Sequence, residues 1–136
     1  MATTTYLSNA KVLIATIDLS DQCKSASIER TIEALESSAF GSTNRVYVAG
    51  MEASTFTAEL MQSYSASETY ATLAALIGTS ITVVVNPTSA ANSATNPAFT
   101  LTGTYLESVK VIDAQIGQLG LVTVTTKGGA YSAVVV

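Results

Sequence analysis

Apolar and polar residues alternate along most of this chain, and a period of two marks β-strands with one buried face. The most regular run is Ser25 to Ala34. Its even positions are Ala26, Ile28, Arg30, Ile32 and Ala34, and its odd positions are Ser27, Glu29, Thr31 and Glu33. Glu and Ala also favour helix, but the alternation favours a strand whose one face is mainly apolar and whose other face is acidic and hydroxylic. Ser54 to Met61 repeats the pattern, with Phe56, Ala58 and Leu60 on one face and Thr55, Thr57, Glu59 and Met61 on the other. The matched faces predict antiparallel neighbours, with Ser27, Glu29, Thr31 and Glu33 on the same side as Thr55, Thr57 and Glu59.

Further strands are expected at Lys11 to Asp18, Arg45 to Ala49, Ile81 to Val85, Ala98 to Tyr105, Ser108 to Asp113, Gln118 to Thr126 and Ala130 to Val136. Gly50 reads as a turn. Ser37 to Asn44 and Asn86 to Pro97 read as loops, from their small polar residues, Gly41 and the two Asn-Pro pairs. One segment, Ser67 to Ile77, reads as a helix. Ser65 or Ser67 caps it, Glu68 lies in its first turn, Tyr70, Leu73, Ala74 and Ile77 form its apolar stripe, and Gly78 closes it. About eight strands and one helix make a mainly β chain, a β-sandwich or partly closed barrel with one flanking α-helix. There is no sign of a second core, a linker or an internal repeat, so residues 1–136 read as a single domain.

Composition narrows the function. Hydrophobic residues make up 48% of the 136 residues and charged residues only 12%, about half the usual charged share near 25%. A surface so poor in charge suggests burial against other copies of the chain. The net charge of −4 disfavours gripping phosphates, which depends on Lys and Arg. There is no His, no Trp and one Cys, Cys23. No internal disulfide, no zinc-spaced cluster and no activated hydroxyl nucleophile is therefore expected. Asp18, Asp21, Glu29, Glu33, Glu36, Glu52 and Glu59 could supply a carboxylate pair. However, Glu29 and Glu33 fall in one stripe, for which the plain reading is the solvated face of an amphipathic strand. Gly117-Gln118-Leu119-Gly120 lacks the lysine of a phosphate loop. No catalytic residue, cofactor or metal is expected, and the chain does not read as an enzyme. The start lacks the pattern of a signal peptide and no apolar run is long enough to span a bilayer. A soluble protein made in a cytoplasm is expected, with no membrane anchor.

Three segments carry a family resemblance. The first is Ile17-Asp18-Leu19-Ser20-Asp21-Gln22-Cys23-Lys24-Ser25-Ala26-Ser27-Ile28-Glu29. The second is Ala39-Phe40-Gly41-Ser42-Thr43-Asn44-Arg45, with Ala49-Gly50-Met51 close behind. The third is Val85-Asn86-Pro87-Thr88-Ser89-Ala90-Ala91-Asn92-Ser93-Ala94-Thr95-Asn96-Pro97. In this order and spacing the chain, from about Val12 to Thr126, resembles the short tail tube (major tail) proteins of long, non-contractile-tailed phages of actinobacteria. Cys23 stands where such proteins often carry another apolar residue.

The resemblance implies a β-sandwich with a flanking helix, assembled as hexameric rings whose inner strands join into one barrel around a lumen. The rings stack into a tail tube that conducts DNA during ejection without binding it specifically. Implied partners are further copies of the chain and other tail proteins, namely tape measure, terminator and distal tail proteins. The implied location is the virion, after synthesis in the host cytoplasm. On this reading Ser27, Glu29, Thr31, Glu33, Thr55, Thr57 and Glu59 face the lumen. The N-terminal segment 1–10, with Tyr6 and Leu7, and loop 36–44, with Phe40, are the expected inter-subunit contacts. A head decoration protein, another virion structural protein or a tail-tip binding module would share the composition. The first two need no acidic inner face, and the last needs an exposed aromatic cluster.

Overall fold

The computed structural model describes residues 9–135. Eight strands and one short helix follow in the order β1 (Lys11–Ile14), β2 (Ile17–Asp18), β3 (Cys23–Glu36), β4 (Tyr47–Met61), α1 (Thr69–Leu73), β5 (Ser80–Asn86), β6 (Ala98–Val109), β7 (Leu121–Lys127) and β8 (Ala130–Val134). All strands belong to one antiparallel sheet ordered β2-β1-β5-β6-β7-β4-β3, with β8 against β6.

The sheet curls onto itself. Strands β1 and β4 are well separated in it, yet Val12 and Ile14 share one core with Phe56, Ala58 and Leu60. Leu101, Leu106, Val83, Val122 and Val124 complete that core, and Leu73 joins it from α1. Arg30 of β3 lies 4.4 Å from the ring centre of Tyr131 in β8. A sheet whose ends meet over its own core is a partly closed barrel, and α1 flanks it.

Backbone breaks shape this curl. Strand β7 pairs with residues 105–109 of β6, and β8 pairs with residues 98–102. The two are therefore successive halves of one path along β6. The path breaks where Gly103 faces Gly128 and Gly129, with φ of 70°, 76° and 93°. These left-handed values suit glycine. At Gly129 a Cβ would also lie 3.0 Å from the Thr102 carbonyl oxygen and from Thr104.

Four local expectations need correction. Lys11 to Asp18 is a tight hairpin, not one strand: Ala15 and Thr16 take φ of 51° and 69° and fold Ile17 back onto Ile14. Gly50 lies inside β4, where the register with β3 slips by one residue between Ile32 and Ala34. A Cβ on Gly50 would lie 3.1 Å from the Glu33 Cβ and the Leu35 Cγ, so the glycine lets β3 side chains cross a bulge.

Ala98 to Val109 is one strand, and residues 110–120 form a loop rather than strand ends. Finally, α1 is shorter than expected and rotated. Thr69, Thr72 and Leu73 are buried, whereas Tyr70, Ala74 and Ile77 are exposed. Ser67, with φ of 62°, delays the start. The Thr69 hydroxyl then sits between the Met61 carbonyl oxygen, at 2.9 Å, and Gln22 Oε1, whose amide nitrogen donates to Glu68. This buried polar clasp, rather than the apolar stripe, sets the rotation.

Candidate functional site

The polar face expected from β3 and β4 exists and is wider than the two strands. Register places Ser25 opposite Glu59, Ser27 opposite Thr57 and Glu29 opposite Thr55. The rows continue across β7, where Thr123, Thr125 and Lys127 stand opposite Glu59, Thr57 and Thr55. They reach β6, with Ser108 opposite Thr125 and Tyr105 opposite Lys127. Directly opposed residues share a face, so four strands carry one continuous surface of Ser, Thr and Glu. The side chains beneath are Phe56, Ala58, Leu60, Val122 and Val124, all buried. Thr31 and Glu33 extend the same face of β3 beyond β7, and both are exposed.

The β7 and β6 contributions were missed in sequence, although Leu121 to Lys127 alternates as cleanly as β4 does. The register slip at Leu106 to Ser108 brings Glu107 within 3.2 Å of Lys127 Nζ through its Oε2. Lys127, a cation on this face, is thus already paired. Arg30 belongs to the other face. Its Nε donates to Glu52 Oε1 at 2.5 Å, which lowers the Glu52 carboxyl below its ordinary value and raises the guanidinium.

The distal half of the β3–β4 hairpin projects as a two-stranded arm, because β7 pairs with β4 only from Thr55 onward. Ile32, Leu35, Val46, Tyr47, Val48 and Met51 are exposed on it. Its tip, residues 37–46, is tied by its own hydrogen bonds. Ser37 N donates to Val46 O at 2.8 Å, Val46 N to Ser38 Oγ at 2.8 Å and Ser42 N to Ala39 O at 3.0 Å. Phe40 stands fully exposed on that ordered tip. The expected contacts Tyr6 and Leu7 lie outside the described residues.

A second apolar region lies at the opposite end of β4. A cleft of about 180 Å³ opens between the α1 segment and the strand ends, lined mainly by Tyr70, Leu73, Ile77, Val109, Val111 and Val122. Tyr64 packs on Tyr70 with ring centres 5.2 Å apart. The neighbouring loop exposes Ile112, Ile116 and Leu119.

The geometry offers little to chemistry. Glu29 and Glu59 lie in rows four residues apart along β3, roughly 13 Å by strand rise. Glycosidase carboxylates stand closer, at about 5–9.5 Å. Among the described residues no group of three or more metal-binding side chains comes together, and no helix is long and apolar enough to cross a membrane. Burial pushes the Cys23 thiol up, away from the reactive thiolate.

No protein-family profile matches the chain, and no curated protein matches it in sequence. Solved structures do match in shape. A chain of the SPP1 tail tube aligns at TM-score 0.71 with 11% identity, covering 94% of this chain and 77% of that one. The sheath/tube terminator of PVC, an extracellular contractile injection system, aligns at 0.74 with 9% identity over 97% of both chains. A chain of the tail of an empty gene transfer agent particle, resolved with C6 symmetry, aligns at 0.63 with 12% identity, covering 82% and 81%. At such identities these likenesses establish a shared fold.

Proposed function

We propose that this chain is a virion structural protein that polymerises as stacked rings, hexameric in number, into a phage-type tail tube through which DNA passes. The observation that carries the reading is the four-strand polar face, hydroxylic and acidic, laid over the barrel core. The shared fold with chains of tail and injection-system tubes supports it. In this reading Ser27, Glu29, Thr31, Glu33, Thr55, Thr57 and Glu59 line the lumen, joined by Thr123 and Thr125. The outer edge of β3 ends the sheet among the described residues. In the ring it closes against a neighbour, which removes an edge prone to aggregation. Carboxylates and hydroxyls offer no counter-ions to phosphate, so DNA slides. The arm tip with Phe40 and the N-terminal segment with Tyr6 and Leu7 join subunits. Tape measure, terminator and distal tail proteins are the chain's further partners in the tail.

The likeness to a tube terminator favours one second reading, a ring that ends a tube. Stacked filaments of the purified chain support the first reading and single rings the second.

The functional test is the E29K/E59K double variant in virions. Assembly at moderate salt with slowed or stalled genome ejection is expected. Normal tails with normal ejection kinetics would show that the charge of this face does not matter to DNA passage.

A further inference from the structure

We propose that the apolar cleft beside α1 is the socket for Phe40 of a second copy of this chain. The inference rests on the tube reading and adds the receiving surface for the arm.

Size fits first. An apolar cavity of about 150 Å³ accepts benzene, and this cleft offers about 180 Å³ bounded by Tyr70, Leu73, Ile77, Val109, Val111 and Val122. Phe40 presents a phenyl ring that no described residue shields: it is fully exposed, on a tip held in place by its own hydrogen bonds. A rigid tip loses little freedom when it docks, and a lone aromatic entering a pocket is the usual form of a strong contact.

Charge fits next. Glu36 and Arg45 stand at the base of the tip. The cleft rim carries Lys110, whose Nζ lies 3.0 Å from Asp113 Oδ2, both partly exposed. One acid and one base on each side permit an exchange of partners across the contact, which favours correct registration.

Position decides the partner. The arm leaves β4 at Tyr47, and the cleft begins beyond Met61, at Gln62. The 15 residues of β4 separate them by roughly 50 Å at the usual strand rise. Phe40 therefore cannot reach the cleft of its own subunit. Plug and socket at opposite ends of one strand make a heterologous contact, which, directed along the strand, repeats from ring to ring as a stack requires.

The test uses the full chain with Cys23→Ser, Ala39→Cys and Ala74→Cys, which keeps the Phe40 ring; Ala39 is exposed beside it and Ala74 is an exposed residue of the cleft wall. After mild oxidation, a ladder of covalent multimers is expected on non-reducing gels, because every copy both gives and receives a thiol. Either single-cysteine control should stop at dimers. Micrographs of the same sample separate the two claims. Filaments without a ladder overturn the socket and leave the tube reading intact. A ladder without filaments upholds the socket and overturns the tube. Neither ladder nor filaments overturns both. In parallel, Ala74→Trp fills the cleft from its rim and should cut filament yield at least about ten-fold, the scale of losing a strong interface residue. Full filament yield from a folded Ala74→Trp protein would also overturn the socket.

Discussion

Phe56 shows how one residue serves both faces of the sheet. Its side chain is fully buried in the core, while its neighbours Thr55 and Thr57 stand on the polar side. Phe56→Ala removes a large ring at the centre of the core. It should cost about 3–5 kcal/mol, read as a lowered denaturation midpoint with an unchanged slope. The carboxylates on the opposite face should behave differently. Glu29 and Glu59 are separated by rows of hydroxyls within one subunit. Their mutual repulsion, exposed and screened, costs less than about 1 kcal/mol per pair. The E29Q/E59Q variant should therefore form filaments as well as the parent, or slightly better at low salt, by electron microscopy. Loss of filaments would mean that these carboxylates make structural contacts.

Asp18 adds a pH dependence at the same scale. Its carboxylate accepts bonds from the Ser20 hydroxyl and from the Ser20 amide, at 2.9 Å for the latter, and these hold it below the ordinary carboxylate value. A lowered folded-state value stabilises the fold at pH above the unfolded carboxylate range near about 3.9. That contribution is lost as the pH falls through the folded value. Asp18→Asn should flatten this acid limb of the stability curve, measured by thermal melts between neutral and strongly acid pH. An unchanged limb would show that other carboxylates, such as Glu52 beside Arg30, carry it.

At the scale of elements, the β1–β2 hairpin holds stored strain. Ala15 and Thr16 both adopt left-handed backbone, which costs about 1–2 kcal/mol for each ordinary residue. Asn-Gly is the pair suited to such a turn. Ala15→Asn with Thr16→Gly should raise stability by about 1–2 kcal/mol, visible as a higher melting temperature. The same turn shows where sequence reading fails. Lys11 to Asp18 contains no Gly, Asn or Pro before Asp18, so nothing local announces the reversal. Tertiary bonds impose it: Ala15 N to Thr82 O at 2.9 Å and Val12 N to Ser20 Oγ at 2.8 Å.

Gly50 misleads in the opposite way, since a glycine flanked by β-formers signals either a turn or a bulge, and only its partner strand decides. The rotation of α1 was hidden for a related reason. Its buried face is chosen by Gln22, far off in sequence, bonding to Thr69 and Glu68. By contrast, the alternation in β3 and β4 was legible because an uninterrupted period of two survives any tertiary context that buries one face. The pairing of those strands followed from their matched faces. The widening of the polar face into β7 and β6 is not legible in the sequence, because sheet order is a long-range property that alternation in one strand does not encode.

At the scale of the whole molecule, the chain has two ends and two sides. The polar side spans four strands over the core. One end carries the exposed arm with Phe40, and the other carries the cleft beside α1 with its exposed loop. Unlike ends, with an outer edge of β3 that no described strand pairs, are suited to lateral closure and axial repetition at once. The low charged fraction of 12% fits a surface that is largely covered by copies of itself. Cryo-electron microscopy of the purified full chain at high concentration tests this central claim most directly. Hollow filaments of stacked rings, with Glu29, Thr55, Thr57 and Glu59 on the inner wall, are expected. A protein that stays monomeric at every concentration, or filaments with that face turned outward, would contradict it.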